Sequence, residues 1–97
     1  MNDVFGLQGK PTLVVGGGSG IGRATALLLA QVGADVAVAD LDGTRAEQVR
    51  DEVAALGVAS FAVAGDVTAR EGADDVVDQA HAVLGGLYAV VNIVGIA

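Results

Sequence analysis

Val14-Val15-Gly16-Gly17-Gly18-Ser19-Gly20-Ile21-Gly22-Arg23-Ala24 joins an apolar run to an alanine- and leucine-rich segment through five glycines, with no linker between them. The run before the glycines reads as a strand and the segment after them as a helix, which places the glycines at a strand-to-helix turn. The first amides of a helix lack an intrahelical carbonyl and the helix dipole is positive there, so such a turn can seat an anion. Glycine suits the turn because a Cβ would keep the backbone away from the anion and would disfavour positive φ. The spacing is Gly16-x-x-x-Gly20-x-Gly22, and Gly-x-Gly-x-x-Gly occurs in no frame. A P-loop reading from Gly17 to Gly22 fails because Arg23-Ala24 stands where Lys-Ser/Thr is needed, leaving no hydroxyl for magnesium. A plain flexible turn between strand and helix is the bland alternative.

The chain has 97 residues, enough for one domain at most, taken as residues 1–97, with a modest core. Hydrophobic residues make up 53% of it, rich in Ala and Val and poor in aromatics, as a buried parallel sheet with close-packed helices requires. A formal charge of -7 argues against nucleic acid or an anionic membrane as partner, so an anion must be held locally by amides. Cysteine is absent, which removes disulfides and thiolate metal sites and fits a reducing compartment. Neither a signal peptide nor an apolar run long enough to span a bilayer is visible, and a cytoplasmic location is the default expectation.

Read in order, a lead-in over residues 1–10 is expected to anchor through Phe5 and Leu7. Thr12 to Gly16 reads as the first strand. The helix from Gly20 to Val32 follows, with Leu27, Leu28 and Leu29 expected to be buried and Gly33 as its stop. Ala34 to Asp40 reads as the second strand. Thr44-x-x-Glu47 and Thr68-x-x-Glu71 read as capping boxes that open two further helices. The first of these carries Ala46, Val49, Val53 and Leu56, and the second carries Ala73, Val76, Val77, Ala80, Val83 and Leu84. Ser60 to Gly65 is the third strand and Leu87 to Ile93 the fourth. Strand–helix alternation of this kind implies a parallel sheet with right-handed crossovers.

Three polar residues fall at the ends of strands, where open α/β sheets bind their ligands. Asp40 ends the second strand twenty residues after Gly20, where a carboxylate can accept from the hydroxyls of an adenine ribose. It would repel a 2′-phosphate, and neither Ser19 nor Leu41 is basic. Arg45 is the nearest cation able to counter it, so NAD is expected rather than NADP. Asp40 can also be read as a strand-end turn residue, with Asp42 as its solvent-facing neighbour. Asp66 is as well suited to a turn or a helix start as to ligand contact, and Asn92 to a structural hydrogen bond. His81 and the acidic residues on the helices read as solvated, and no metal-ligand spacing is present.

These stretches resemble the short-chain dehydrogenases/reductases that have a single Rossmann domain. Val15 to Gly22 is similar to their Thr-Gly-x-x-x-Gly-Ile-Gly motif, with Val15 replacing threonine. Asp66-Val67 is similar to their Asp-Val motif, and Val91-Asn92-Ile93-Val94-Gly95 to their Asn-Asn-Ala-Gly motif. The resemblance covers practically the whole chain. It implies a sheet of order 3-2-1-4 with helices on both faces, cut before the catalytic half. It also implies that Gly16, Ser19, Gly20, Ile21 and Gly22 surround the diphosphate, and that Asp40 and Leu41 meet the adenine ribose. By the same resemblance Asp66 and Val67 flank adenine, while Asn92 and Gly95 lie near the nicotinamide-side ribose.

The family's catalytic Ser and Tyr-x-x-x-Lys follow the fourth strand. Here Tyr88 is the one tyrosine and Asn92 stands four residues on, so no catalytic residue is assigned. The resemblance therefore implies the cofactor-binding portion of an NAD(P)-dependent oxidoreductase acting on an alcohol or ketone. A non-catalytic NAD-binding or interaction module of the same fold is the alternative, and a structural domain with a vestigial loop is a third. The fourth strand would form an apolar open edge, from which association of copies, or cover by further sequence, is expected.

Overall fold

The computed structural model describes residues 5–18 and 20–93. Seven elements alternate along them: β1 (Pro11–Val15), α1 (Gly20–Gln31), β2 (Asp35–Asp40), α2 (Gly43–Ala54), β3 (Ser60–Ala64), α3 (Arg70–Leu84) and β4 (Ala89–Asn92). The strands form one parallel sheet in the order β3-β2-β1-β4, as the sequence led us to expect. Strand limits move by one or two residues from those read in the sequence, which is within the fraying of element ends.

Register explains why the strands are apolar on both faces. Val14 lies opposite Val38 on one side and Val91 on the other, while Leu13 lies opposite Ala37 and Val90. Val14, Val36 and Val38 face α1 and α2 and pack with Ala26, Ala30, Val49 and Val53. Leu13, Val15, Ala37, Ala39 and Val63 face the other way and pack with Val76 and Ala80 of α3. Two helices thus cover one face and a single helix covers the other. Alternation along each parallel strand feeds two cores at once, so the charges of β2 stand only at its ends, Asp35 and Asp40, and β1 carries none.

Several local expectations are corrected. Leu28 is 61% exposed, and only Leu27 and Leu29 touch the core. The buried face of α1 is set by Gly22, Ala26 and Ala30, spaced four apart, and Leu28 lies about 200° around the helix from Ala26. Phe5 is no anchor either. It is exposed and borders a shallow apolar groove with half-buried Leu7 and with Leu28. Val77 and Val83 of the α3 stripe are also exposed, because α3 meets the sheet through Val76 and Ala80 and lies over β3, β2 and β1 only.

Neither capping box forms. The N-cap of α2 is Asp42, whose Oδ1 accepts from the amides of Thr44 and Arg45 at 3.0 and 3.3 Å. The chain turns immediately after β2, so a charged acceptor is already in place two residues before Thr44 and starts the helix earlier. In front of α3, the Asp66 carboxylate takes both the hydroxyl and the amide of Thr68. The helix starts at Arg70, so the N-cap position falls to Ala69, which makes no side-chain bond.

Candidate functional site

The C-terminal ends of β1, β2 and β3 surround a shallow apolar pocket. It is lined by Val15 and Gly16 from β1 and its turn, by Asp40 and Leu41 from β2, and by residues 65–68 after β3. Val15 is buried, Leu41 is 72% exposed at the rim, and Val67 leans back onto the α3-side core. One wall is therefore held by the core while the other is open to solvent.

The glycine turn is tied closely to β2. The amides of Gly16 and Gly17 both donate to the Ala39 carbonyl, at 2.7 and 3.0 Å. The next amide, Gly18, donates to Asp40 Oδ2 at 2.9 Å, and Asp40 Oδ1 accepts from the amide of Asp42 at 2.9 Å. Asp40 is half-buried and joins the glycine turn to the start of α2. Arg45, one turn into α2, points at Asp42 instead, with Nε 3.6 Å from Oδ2.

At Gly22 and Gly18 the turn approaches its surroundings closely. A Cβ on Gly22 would fall 1.9 Å from the Gly16 carbonyl oxygen, so α1 begins pressed against the turn that precedes it. A Cβ on Gly18 would fall 2.6 Å from Asp40 Oδ2 and 2.9 Å from the Cβ of Arg45. The amides of Gly16 to Gly18 being engaged with β2, the amides that helix geometry leaves for a ligand are those of the first turn of α1, at Gly20, Ile21 and Gly22. Ile21 is 62% exposed beside them, and the Thr25 hydroxyl holds its carbonyl at 2.8 Å. Arg23 is drawn away to Glu52 of α2, a solvent-exposed pair that raises the guanidinium pKa and lowers that of the carboxyl through their mutual hydrogen bond.

The remaining candidates are placed as follows. Asp66 is exposed at the pocket mouth, and its carboxyl is held below the ordinary carboxylate value, chiefly by the Thr68 hydroxyl and then by the Thr68 amide. Asn92 is exposed at the end of β4, directly opposite Val15 across the β1–β4 pair. Ser19 and Gly95 lie outside the described residues. Neither Gly18 nor Thr68 is among the site residues expected from the sequence, although both shape the site. The signal for Gly18 was present, because the β1–β2 register carries the residues after Val15 alongside Asp40. Among the described residues no group of His, Cys, Asp or Glu could hold a metal ion. Nor is any helix among them long and apolar enough to cross a membrane.

An apolar slot at the ends of parallel strands, a glycine turn pressed onto a helix start and a carboxylate ending the second strand are the layout of a Rossmann-type α/β domain. The profile of the short chain dehydrogenase family matches residues 10–97, and the chain belongs to that family. It is similar to the hydroxyacyl-CoA dehydrogenase ChsB1 of Mycobacterium tuberculosis, at 44% identity over 93% of this chain and 30% of that one. It is also similar to the cyclohexanol dehydrogenase of an Acinetobacter species, at 40% identity over 90% of this chain and 35% of that one. Among solved structures it resembles a 7α-hydroxysteroid dehydrogenase complexed with NADH and 7-oxo glycochenodeoxycholic acid. The TM-score is 0.86 and the identity 34%, over 93% of this chain and 36% of that one. The chain spans 29 to 37% of the length of the curated relatives it matches.

Proposed function

We propose that this chain is the cofactor-binding part of an oxidoreductase that moves hydride between NAD and an alcohol or ketone. NAD is preferred to NADP because of the carboxylate of Asp40. It ends β2 with both oxygens turned to backbone amides, and Arg45 is directed at Asp42. A 2′-phosphate set there would face this negative group with no cation aimed at it, whereas ribose hydroxyls could donate to its remaining lone pairs. The glycine cradle supports the fit, since the backbone at Gly22 leaves no space for a Cβ.

In this reading the diphosphate lies against Gly16, Ser19, Gly20, Ile21 and Gly22, with the charge met by the first amides of α1. Asp40 and Leu41 hold the adenine ribose, Asp66 and Val67 border the adenine, and Asn92 and Gly95 border the nicotinamide-side ribose. The nicotinamide supplies the hydride acceptor or donor. The chain's own residues bind and orient, and its apolar pocket removes water from one face of the adenine. A cytoplasmic location and association of copies along β4 belong to the same proposal.

Calorimetric titration of the wild type and of Asp40→Ala with NAD and NADP tests it. NAD is expected to bind the wild type more tightly than NADP, with the gap closing in the variant. Tighter NADP binding by the wild type overturns the choice of cofactor, and binding of neither overturns the dinucleotide reading.

A further inference from the structure

Asp40 has a second set of partners that ribose recognition does not require. Its two oxygens accept from Gly18 and from Asp42, both at 2.9 Å, and these donors are backbone amides of the chain itself. Gly18 is the last residue described before the start of α1, and its amide follows two others that already bind the Ala39 carbonyl. The carboxylate accepts the third bond in that row and is the side-chain one of its two acceptors. The space is shaped for it, because a Cβ on Gly18 would stand 2.6 Å from Oδ2 and 2.8 Å from the carboxyl carbon.

We infer that Asp40 is a positioning residue for the glycine turn, fixing Gly18 and through it the start of α1 before any cofactor arrives. The inference rests on the proposed function for what the turn grips, but the bond itself belongs to the chain without ligand. Each carboxylate oxygen accepts one amide and keeps further acceptor capacity, so ribose hydroxyls can be added without releasing Gly18. Ribose recognition and diphosphate grip are then coupled through one side chain. Replacing Asp40 to change cofactor preference would loosen the turn as well.

Comparing Asp40→Asn with Asp40→Ala tests the side-chain anchor apart from its charge, since both remove the charge and only Asn keeps an oxygen that can accept from the Gly18 or the Asp42 amide. The first readout is amide hydrogen exchange at Gly18 in the 97-residue chain without ligand. Exchange is expected to be at least ~10-fold faster in Asp40→Ala than in the wild type, with Asp40→Asn restoring much of the protection. The second readout is binding of inorganic pyrophosphate, a probe with no ribose. Asp40→Asn is expected to bind it about fivefold more tightly than Asp40→Ala, the worth of one ordinary hydrogen bond.

Should Asp40→Ala fail to fold, Gly18→Ala serves in its place, because its Cβ must displace the carboxylate, and the same weakening relative to Asp40→Asn is expected. Gly18 exchange that ignores Asp40→Ala, or measurable but equal pyrophosphate binding by the Asn and Ala variants, overturns the inference. If Gly18 exchange responds but neither NAD nor pyrophosphate binds, the cofactor reading falls and the positioning role stands. If NAD binds while Gly18 is indifferent to Asp40, the positioning role falls and the cofactor reading stands.

Discussion

Asp66 accepts two hydrogen bonds from one neighbour, the hydroxyl and the amide of Thr68, and both favour the ionised carboxyl. Its pKa is lowered from the ordinary 3.8, most by the hydroxyl and next by the amide, against a smaller opposing effect of desolvation. Since the folded value lies below the unfolded one, the support this turn gives is complete above the ordinary pKa. It is lost as pH falls through the folded value. A carboxyl titration followed by NMR is expected to place the Asp66 midpoint below 3.8 in the wild type. Thr68→Val removes the hydroxyl and keeps the amide, so its midpoint should rise part of the way back. A wild-type midpoint at or above 3.8, or one unmoved by Thr68→Val, would contradict the assignment. The positions of Asp40 and Asp66 at strand ends were legible in the sequence, because strand periodicity counts residues to the end of the run. Their partners were not. Gly18, Asp42 and Thr68 become donors only through turn conformations that depend on both flanking elements.

Elements show the same division. Seven segments in alternation followed from apolar runs punctuated by glycines, and the sheet order from the family resemblance. The face that each helix presents did not. Leu27-Leu28-Leu29 spans more than half a helical turn, so the run alone cannot say which member meets the sheet. The phase is set by small residues instead, because Gly22, Ala26 and Ala30 let α1 approach β1 closely. Helix starts were misread for a related reason. A Thr-x-x-Glu pattern resembles a capping box wherever it occurs, but α2 starts from Asp42, which takes the amides of Thr44 and Arg45, and before α3 Asp66 takes the amide of Thr68 itself. The consequence for stability is a sharp contrast between two aliphatic residues. Val49 is 1% exposed between α2 and the sheet, so Val49→Ala removes buried methyl groups and leaves a cavity, a loss of about 2 kcal/mol. Leu28, at 61% exposure, is expected to change stability by less than about 0.5 kcal/mol when replaced by Ala. Urea unfolding of the two variants checks this, and a larger loss for Leu28→Ala would mean that the phase of α1 is wrong.

At the scale of the sheet, the described residues leave its two outer strands differently covered. β3 is one of them, and α2 and α3 both lie against it. Among the described residues no helix lies against β4, which pairs with β1 alone. Tyr88 is 59% and Val90 49% exposed there, and residues 87–93 contain no charged side chain in a chain of net charge -7. The Lys10 ammonium lies 5.3 Å from the centre of the Tyr88 ring, but the strand itself carries no charge, and its outer backbone groups are able to pair with another strand. Two copies related by a two-fold axis could pair β4 with β4 and extend the sheet. The chain is accordingly expected to shift from monomer to dimer as its concentration rises in sedimentation velocity. Val90→Lys should hold it monomeric with its unfolding transition little changed, since the side chain is half outside the core and a lysine on an edge strand opposes pairing. A single monomeric species at every concentration would remove the edge as an association surface. A dimer that survives Val90→Lys unchanged would move the contact elsewhere, with the apolar groove bordered by Phe5 and Leu28 the next surface to mutate.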